Sequence, residues 1–161
     1  MSSGQMSLTM GQPWQRAVRA LLGLLLRRPL VGVCVIPILP DGSVVLMQRQ
    51  DSGLWGFPGG LVDWGEDIAT AAQRELAEET SLTIARMGRL VGVYSAPQRD
   101  ARFHSICVTV EVFVTGTPRV NDPKEAIAVS GFQWAQLGEL NLAHDHAQHM
   151  QDYLANRTVL D

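Results

Sequence analysis

The chain is short of most features that would mark a secreted, membrane-spanning or nucleic-acid-coating protein. Of 161 residues only two are cysteine, Cys34 and Cys107, each inside an apolar run. That is too few for a disulfide framework, and the expectation is a pair of buried free thiols in a reducing cytoplasm. The longest leucine-rich run, Leu21 to Leu26, falls far short of the roughly 20 apolar residues that span a bilayer. Arg27-Arg28-Pro29 follows it where a signal peptide would need small residues at a cleavage site. Lys and Arg total 13 against 16 Asp and Glu, a net charge of −3, which excludes nonspecific attraction to nucleic acid. There is no G-x-S-x-G serine and no H-E-x-x-H pair. No internal repeat and no low-complexity segment occurs.

What remains is a chain with 46% hydrophobic and 18% charged residues, long enough for one domain with a substantial core. Residues 1–13 are small and polar and read as disordered. Residues 14–28 read as a short amphipathic helix with Arg16 and Arg19 set among leucines. Two roles fit it: packing on the domain or on a second subunit in a homodimer, or lying on an anionic membrane surface. From Leu30 to Leu39 the run is apolar and β-branched, the pattern of a buried strand. Pro40-Asp41-Gly42 is turn chemistry, so Ser43 to Arg49 should return as the second strand of a hairpin. Further strands are expected at 82–95, with a break at 86–88, at 103–115 and at 129–135. A closing helix is expected over 140–154.

The chain is organised around Gly59 to Leu82. A glycine turn leads into a helix that starts after Asp67, a good N-cap, and carries Arg74, Glu75, Glu78 and Glu79. Positions i, i+3 and i+4 share one helix face about 5–6 Å apart, so the three glutamates form a carboxylate patch. Repulsion at that spacing is relieved by a hard divalent cation, which prefers carboxylate oxygens. A solvated acidic face would explain three glutamates alone. The wider spacing says more: Gly60, five residues, Glu66, seven residues, Arg74-Glu75-Leu76, one residue, Glu78-Glu79, one residue, Ser81-Leu82.

This string resembles the Nudix box, G-x5-E-x7-R-E-U-x-E-E-x-G-U with U aliphatic. Eight of its nine fixed positions match; the departure is Ser81, where the family has glycine. The resemblance implies an α/β fold, an α/β/α sandwich around a mixed β-sheet, here with an extra N-terminal helix and a single domain over 29–157. It also implies an enzyme using Mg²⁺, with Mn²⁺ as a substitute, to hydrolyse a diphosphate linkage. Glu78 and Glu79 would be the surest metal ligands, with Glu75 as ligand or general base, a backbone carbonyl at Gly59 in the shell, and Glu125 as a further ligand or the base. Arg74 would orient a glutamate through charge-assisted hydrogen bonds, supported by Glu66.

The loop Tyr94-Ser-Ala-Pro-Gln-Arg99-Asp-Ala-Arg102-Phe-His104 resembles strings in Nudix proteins of the ADP-ribose pyrophosphatase-like group. Tyr94, Arg99, Arg102 and His104 are therefore candidate substrate contacts, against the plainer reading of an exposed hairpin loop with an Arg–Asp pair. Trp55 and Phe57 are either core residues or the walls of a base-binding slot. His144, His146 and His149 lack a metal-binding spacing, since i and i+2 do not face each other on a helix, and are expected on the surface. Three functional readings follow. The first is cleavage of a nucleoside diphosphate derivative, of ADP-ribose or dinucleotide type. The second is a MutT-like nucleoside triphosphate pyrophosphohydrolase that removes oxidised nucleotides. The third is a non-catalytic nucleotide-binding domain, which the intact acidic positions disfavour. The implied partner is a small nucleotide-type molecule, without nucleic acid, in the cytoplasm.

Overall fold

A computed structural model describes residues 28–100 and 103–161. Residues 1–13, all but the last residue of the N-terminal helix expected at 14–28, and Arg102 lie outside the described residues.

The apolar run at the start of the domain forms β1, Leu30–Ile38. Its successive side chains point to opposite faces, and both faces are covered. Val33 and Val35 belong to one core cluster, and Cys34, Ile36 and Ile38 to another. The first cluster is closed by α1, Ile68–Thr80, through Ala71, Ala72 and Leu76. A fully buried leucine such as Leu76 contributes about 1.5–3 kcal/mol. The second cluster is closed by a 3-10 turn, Trp134–Glu139, and by α2, His146–Leu154, through Leu137, Met150 and Tyr153. The result is the expected three-layer sandwich around a mixed sheet.

The other strands are β2, Val44–Arg49, β3, Trp55–Gly56, β4, Gly59–Leu61, β5, Thr83–Tyr94, β6, Ser105–Thr115, β7, Ala126–Phe132, and β8, Val159–Leu160. β1 runs parallel to β6 along its whole length, from Leu30↔Ser105 to Ile38↔Phe113. β5 and β6 are antiparallel, and β8 adds in parallel to β5. The β1–β2 hairpin is registered only at Ile38↔Val44. Beyond that pair the strands separate. β2 turns to β7 and β3, while the free edge of β1 pairs with β4. The segment 55–61 therefore runs down the fork, paired first to β2 and then to β1. This wedge sets the corner where the site forms.

Several expected boundaries move. β5 continues through 86–88, where its pairing with β6 shifts register instead of ending. β7 begins at Ala126, three residues early. The closing helix begins at His146 because the backbone of 141–143 is occupied by Trp55: Trp55 N–H donates to Asn141 O (3.0 Å), and Ala143 N–H donates to Trp55 O (2.7 Å). The unexpected β8 is held by Arg89, whose guanidinium donates to Arg157 O (2.7 Å) and Tyr153 O (2.9 Å). No helix among the described residues is long and apolar enough to cross a membrane.

Asp67 caps α1, its carboxylate accepting from Thr70 N–H at 2.8 Å. At the other end Ser81 is left-handed, φ 60 and ψ 17, and its N–H donates to Ala77 O. A side chain with a Cβ is disfavoured there. Ser81→Gly is expected to raise stability by about 0.5–1 kcal/mol, net of the extra freedom glycine gains in the unfolded chain. Thermal unfolding checks this, as a rise of about 1–4 °C.

Candidate active site

α1 lies with Ala72 and Leu76 on the sheet, and one row across that face come Glu75 and Glu79. Both are nearly buried, Glu79 at 4% exposure. Glu78, expected in the same tight patch, points outward: its side chain is 59% exposed, and its nearest cation is Arg74 at 3.5 Å. The patch therefore divides into two inward carboxylates and one at the rim.

The glycine turn fits around the inward pair. Gly59 N–H donates to Glu79 Oε2 at 2.8 Å. Gly59 has φ +153, and a Cβ on it would stand 2.2 Å from Val33 O. A Cβ on Gly60 would stand 2.3 Å from Glu75 Oε1. No other residue type lets the backbone come this close to both carboxylates.

Arg74 fixes the geometry. Its Nε and Nη2 each donate at 2.9 Å to the two oxygens of Glu66, a bidentate fork. Nη1 donates to Glu75 Oε1 at 2.7 Å, and Nη2 also donates to Leu61 O. Glu66 further accepts from Asp63 N–H at 3.0 Å. Hydrogen bonds from Arg74 and Asp63 pull Glu66 down to about 2. Glu75 moves the other way: burial raises it, and Arg74 only partly offsets that. Burial pushes Glu79 up to about 8; the Gly59 N–H opposes the shift, while Glu75 and Glu125 add to it.

Glu75, Glu79, Gly59, Gly60 and Glu125 line one cleft of about 600 Å³, large enough for a nucleotide-sized ligand. Arg49, Lys124 and Arg99 line it as well. The donor set is all oxygen: two buried carboxylates, a third on the facing loop and a backbone corner. Such a set suits a hard divalent cation, which would reverse the unfavourable burial of Glu75 and Glu79.

The opposite wall joins two distant strings. Arg99 donates from Nε and Nη2 to both oxygens of Asp145, at 2.8 and 2.9 Å, and from Nη1 to Ser105 Oγ at 2.7 Å. His146 and His149 are buried, not on the surface, and so correct that expectation. They lie there because α2 starts late: His146 faces Cys34 on β1, and His149 faces Thr109 on β6 and Tyr94 on β5. Ring nitrogens of His146 and His149 and the Cys34 sulfur lie within 4.8 Å of one another. The cluster nevertheless makes a poor metal site. Phe57 N–H donates to His146 Nδ1 at 3.0 Å. That nitrogen therefore carries the lone pair and Nε2 the proton, leaving Nε2 nothing to offer a cation.

Other candidates fall differently. Tyr94 is a core residue. It is 1% exposed, stacked on His149 at 3.8 Å between ring centroids, and its hydroxyl donates to Asp152. A phenol so enclosed reaches no substrate, which corrects its assignment as a contact. Trp55 also builds no slot: it packs edge-on against Phe132 at 4.9 Å, away from the cleft. Phe57 is buried in the core beside His146 and reaches the cleft floor. His104 is hydrogen-bonded to Ser95 O at 3.0 Å and ties the loop to itself.

Sequence reasoning missed His146 as part of the wall and Asp145 as the group that holds Arg99 in it. The Leu-Ala-His-Asp-His string was the available signal, but the partners Arg99 and Phe57 are 46 and 89 residues away.

Comparison with known proteins agrees with this geometry. A family model described as the NUDIX domain matches residues 28–156. An ADP-ribose pyrophosphatase of Methanocaldococcus jannaschii is 36% identical over 120 residues, covering 71% of this chain and 67% of the relative. A Bacillus subtilis protein provisionally named 8-oxo-dGTP diphosphatase is 33% identical over 111 residues, covering 69% of each. Among solved structures, the MutT NUDIX hydrolase of Burkholderia pseudomallei superposes with a TM-score of 0.69 at 28% identity, covering 78% of this chain and 98% of that one.

Proposed function

The chain belongs to the Nudix hydrolase family, and from that premise we propose that it hydrolyses the diphosphate linkage of a nucleoside diphosphate derivative, of the ADP-ribose type, with a divalent cation. The observation that carries the reading is the buried pair Glu75, held by Arg74, and Glu79, held by the Gly59 N–H, seated against the Gly59–Gly60 corner in an open cleft. Similarity to the Methanocaldococcus jannaschii enzyme favours the ADP-ribose branch.

Glu75, Glu79 and the Gly59 carbonyl would hold the cation, with Glu78 at the rim and Glu125 opposite. A bound Mg²⁺ or Mn²⁺ supplies charge neutralisation on the phosphate oxygens and a water of lowered pKa. The chain's own residues do the positioning. Glu66 fixes Arg74, Arg74 fixes the Glu75 carboxylate, and the Gly59 N–H fixes Glu79. Arg49 and Lys124 line the approach and favour an anionic substrate. Water adds to one phosphorus, the bond from that phosphorus to the bridging oxygen breaks, and each half leaves as a phosphomonoester.

A screen of ADP-ribose, NADH, diadenosine polyphosphates, nucleotide sugars and oxidised deoxynucleoside triphosphates, with products identified, tests the reading. The expected result is AMP and ribose 5-phosphate from ADP-ribose in Mg²⁺ or Mn²⁺, and no turnover in excess chelator. Full turnover in chelator overturns the metal requirement. Preferential release of pyrophosphate from a triphosphate would instead establish the second reading, which the Bacillus subtilis relative favours.

A further inference from the structure

We infer that His146 is a positioning residue for the cation-binding corner: its Nδ1 holds the Phe57 amide and so presents Gly59 to Glu79. The inference rests on the proposed function for its consequence but on separate geometry for its substance.

Three consecutive residues of the wedge are tethered to three different elements. Phe57 N–H donates to His146 Nδ1 on α2 at 3.0 Å. Pro58 O accepts from Val35 N–H on β1 at 2.8 Å. Gly59 N–H donates to Glu79 Oε2 on α1 at 2.8 Å. The first tether is the only one of these made by a side chain from the far layer. The wedge is shaped to admit it. A Cβ on Gly56 would stand 3.0 Å from His146 Nδ1 and 3.2 Å from Cε1, so the imidazole occupies the space a larger residue would fill.

His146 is itself held from behind. Its N–H donates to Ala143 O (3.1 Å), and Ala143 N–H is bound to Trp55 O (2.7 Å). Asp145, the preceding residue, is gripped by Arg99 Nε and Nη2. The imidazole faces Cys34 at 4.0 Å, Phe57, His144 and His149. Burial, with His149 nearby, keeps it well below its ordinary pKa, so the acceptor lone pair persists at neutral pH. The Arg99 loop, α2 and the wedge thus form one chain of contacts ending at Gly59. Groups hydrogen-bonded directly to a metal ligand cost about 10–100-fold in affinity when removed; His146 acts one step further back, through Phe57, which sets the expected loss at the low end of that range.

The test is Mn²⁺ binding to the full chain, followed by electron paramagnetic resonance titration, with thermal unfolding as the control for folding. His146→Leu leaves the Phe57 amide unpaired and should weaken Mn²⁺ binding by about tenfold. His146→Asn places Oδ1 where Nδ1 stood and should stay within about threefold of the parent. Unchanged binding in a folded His146→Leu overturns the inference, as does equal weakening in both variants. If His146→Leu does not fold, Gly56→Ala replaces it, since its methyl displaces the imidazole. It should weaken Mn²⁺ binding to the same extent, and parent-like binding overturns the inference. Absence of Mn²⁺ binding by the parent chain brings down the proposed function and this inference with it. Binding by the parent that ignores His146 brings down the inference alone.

Discussion

Glu79→Gln should cut turnover by roughly 10²–10³-fold, because removing a proposed cation ligand forfeits several kcal/mol of charge stabilisation and each 1.36 kcal/mol is a factor of ten. Glu79 is the most buried of the box glutamates and the one bonded to the glycine corner. The substitution keeps the volume, and the amide oxygen can still accept the Gly59 N–H, so the fold should persist. Circular dichroism and steady-state kinetics at saturating Mg²⁺ check the two halves. A rate within a few-fold of the parent removes Glu79 from the site. The same substitution should stabilise the metal-free protein at pH 8, since it deletes a charge buried beside Glu75 and facing Glu125. A variant that is less active yet harder to unfold is the usual signature of a group retained for function at a cost in stability.

The second large effect is on stability against pH in excess chelator. Burial lifts the folded-state pKa of Glu79 from 4.5 to about 8. Between those values the folded chain holds a proton that the unfolded chain has lost. Unfolding then releases a proton, so the Glu79 contribution declines as pH rises through the window and is level outside it. At 1.36 kcal/mol per unit, the span from pH 6.5 to 8 is worth roughly 2 kcal/mol. Other buried groups titrate too, His146 with the opposite sign at lower pH, and those that do not interact with Glu79 are common to the parent and Glu79→Gln. The quantity to measure is therefore the difference between the two proteins in urea unfolding at each pH. The parent should lose ground to the variant by about 2 kcal/mol over that span, and saturating Mg²⁺ should restore it by taking the proton's place. A difference that does not change with pH would mean Glu79 is already ionised in the empty cleft.

The box was the most legible part of the chain because its information is local. Asp67, Arg74, Glu75 and Glu79 lie on or next to one helix, where spacing fixes neighbours. Glu66 reaches Arg74 across only eight residues. β1 was legible for a similar reason, since covering both faces leaves an unbroken apolar run. What the sequence hid was long-range. Arg99 looked like a free phosphate donor in an exposed loop, and its engagement with Asp145 depends on how α2 docks. Tyr94 looked like the first residue of a substrate loop at the end of a strand, yet it closes β5 facing inward. The histidines were judged on a helix over 140–154, but the helix starts at His146. That shift turns two of them into the core. Glu78 and Glu79 are adjacent and chemically identical in sequence; a 100° step around α1 makes one a rim charge and the other a buried one.

The parallel pairing of β1 with β6 bears on how the chain is made. β1 is the first strand of the domain, yet Leu30 must wait for Ser105, 75 residues later, to find its partner. Its hairpin mate offers a single registered pair, and β4 covers only Gly32 to Cys34. During synthesis the run Leu-Val-Gly-Val-Cys-Val-Ile-Pro-Ile therefore waits, uncharged and only partly paired, while more than half of the domain follows. Such long-range pairing is slow to form, and an apolar segment with unsatisfied edges invites association with other chains. Yield from cells should thus be set less by the stability of the finished fold than by how long β1 is left waiting for β6.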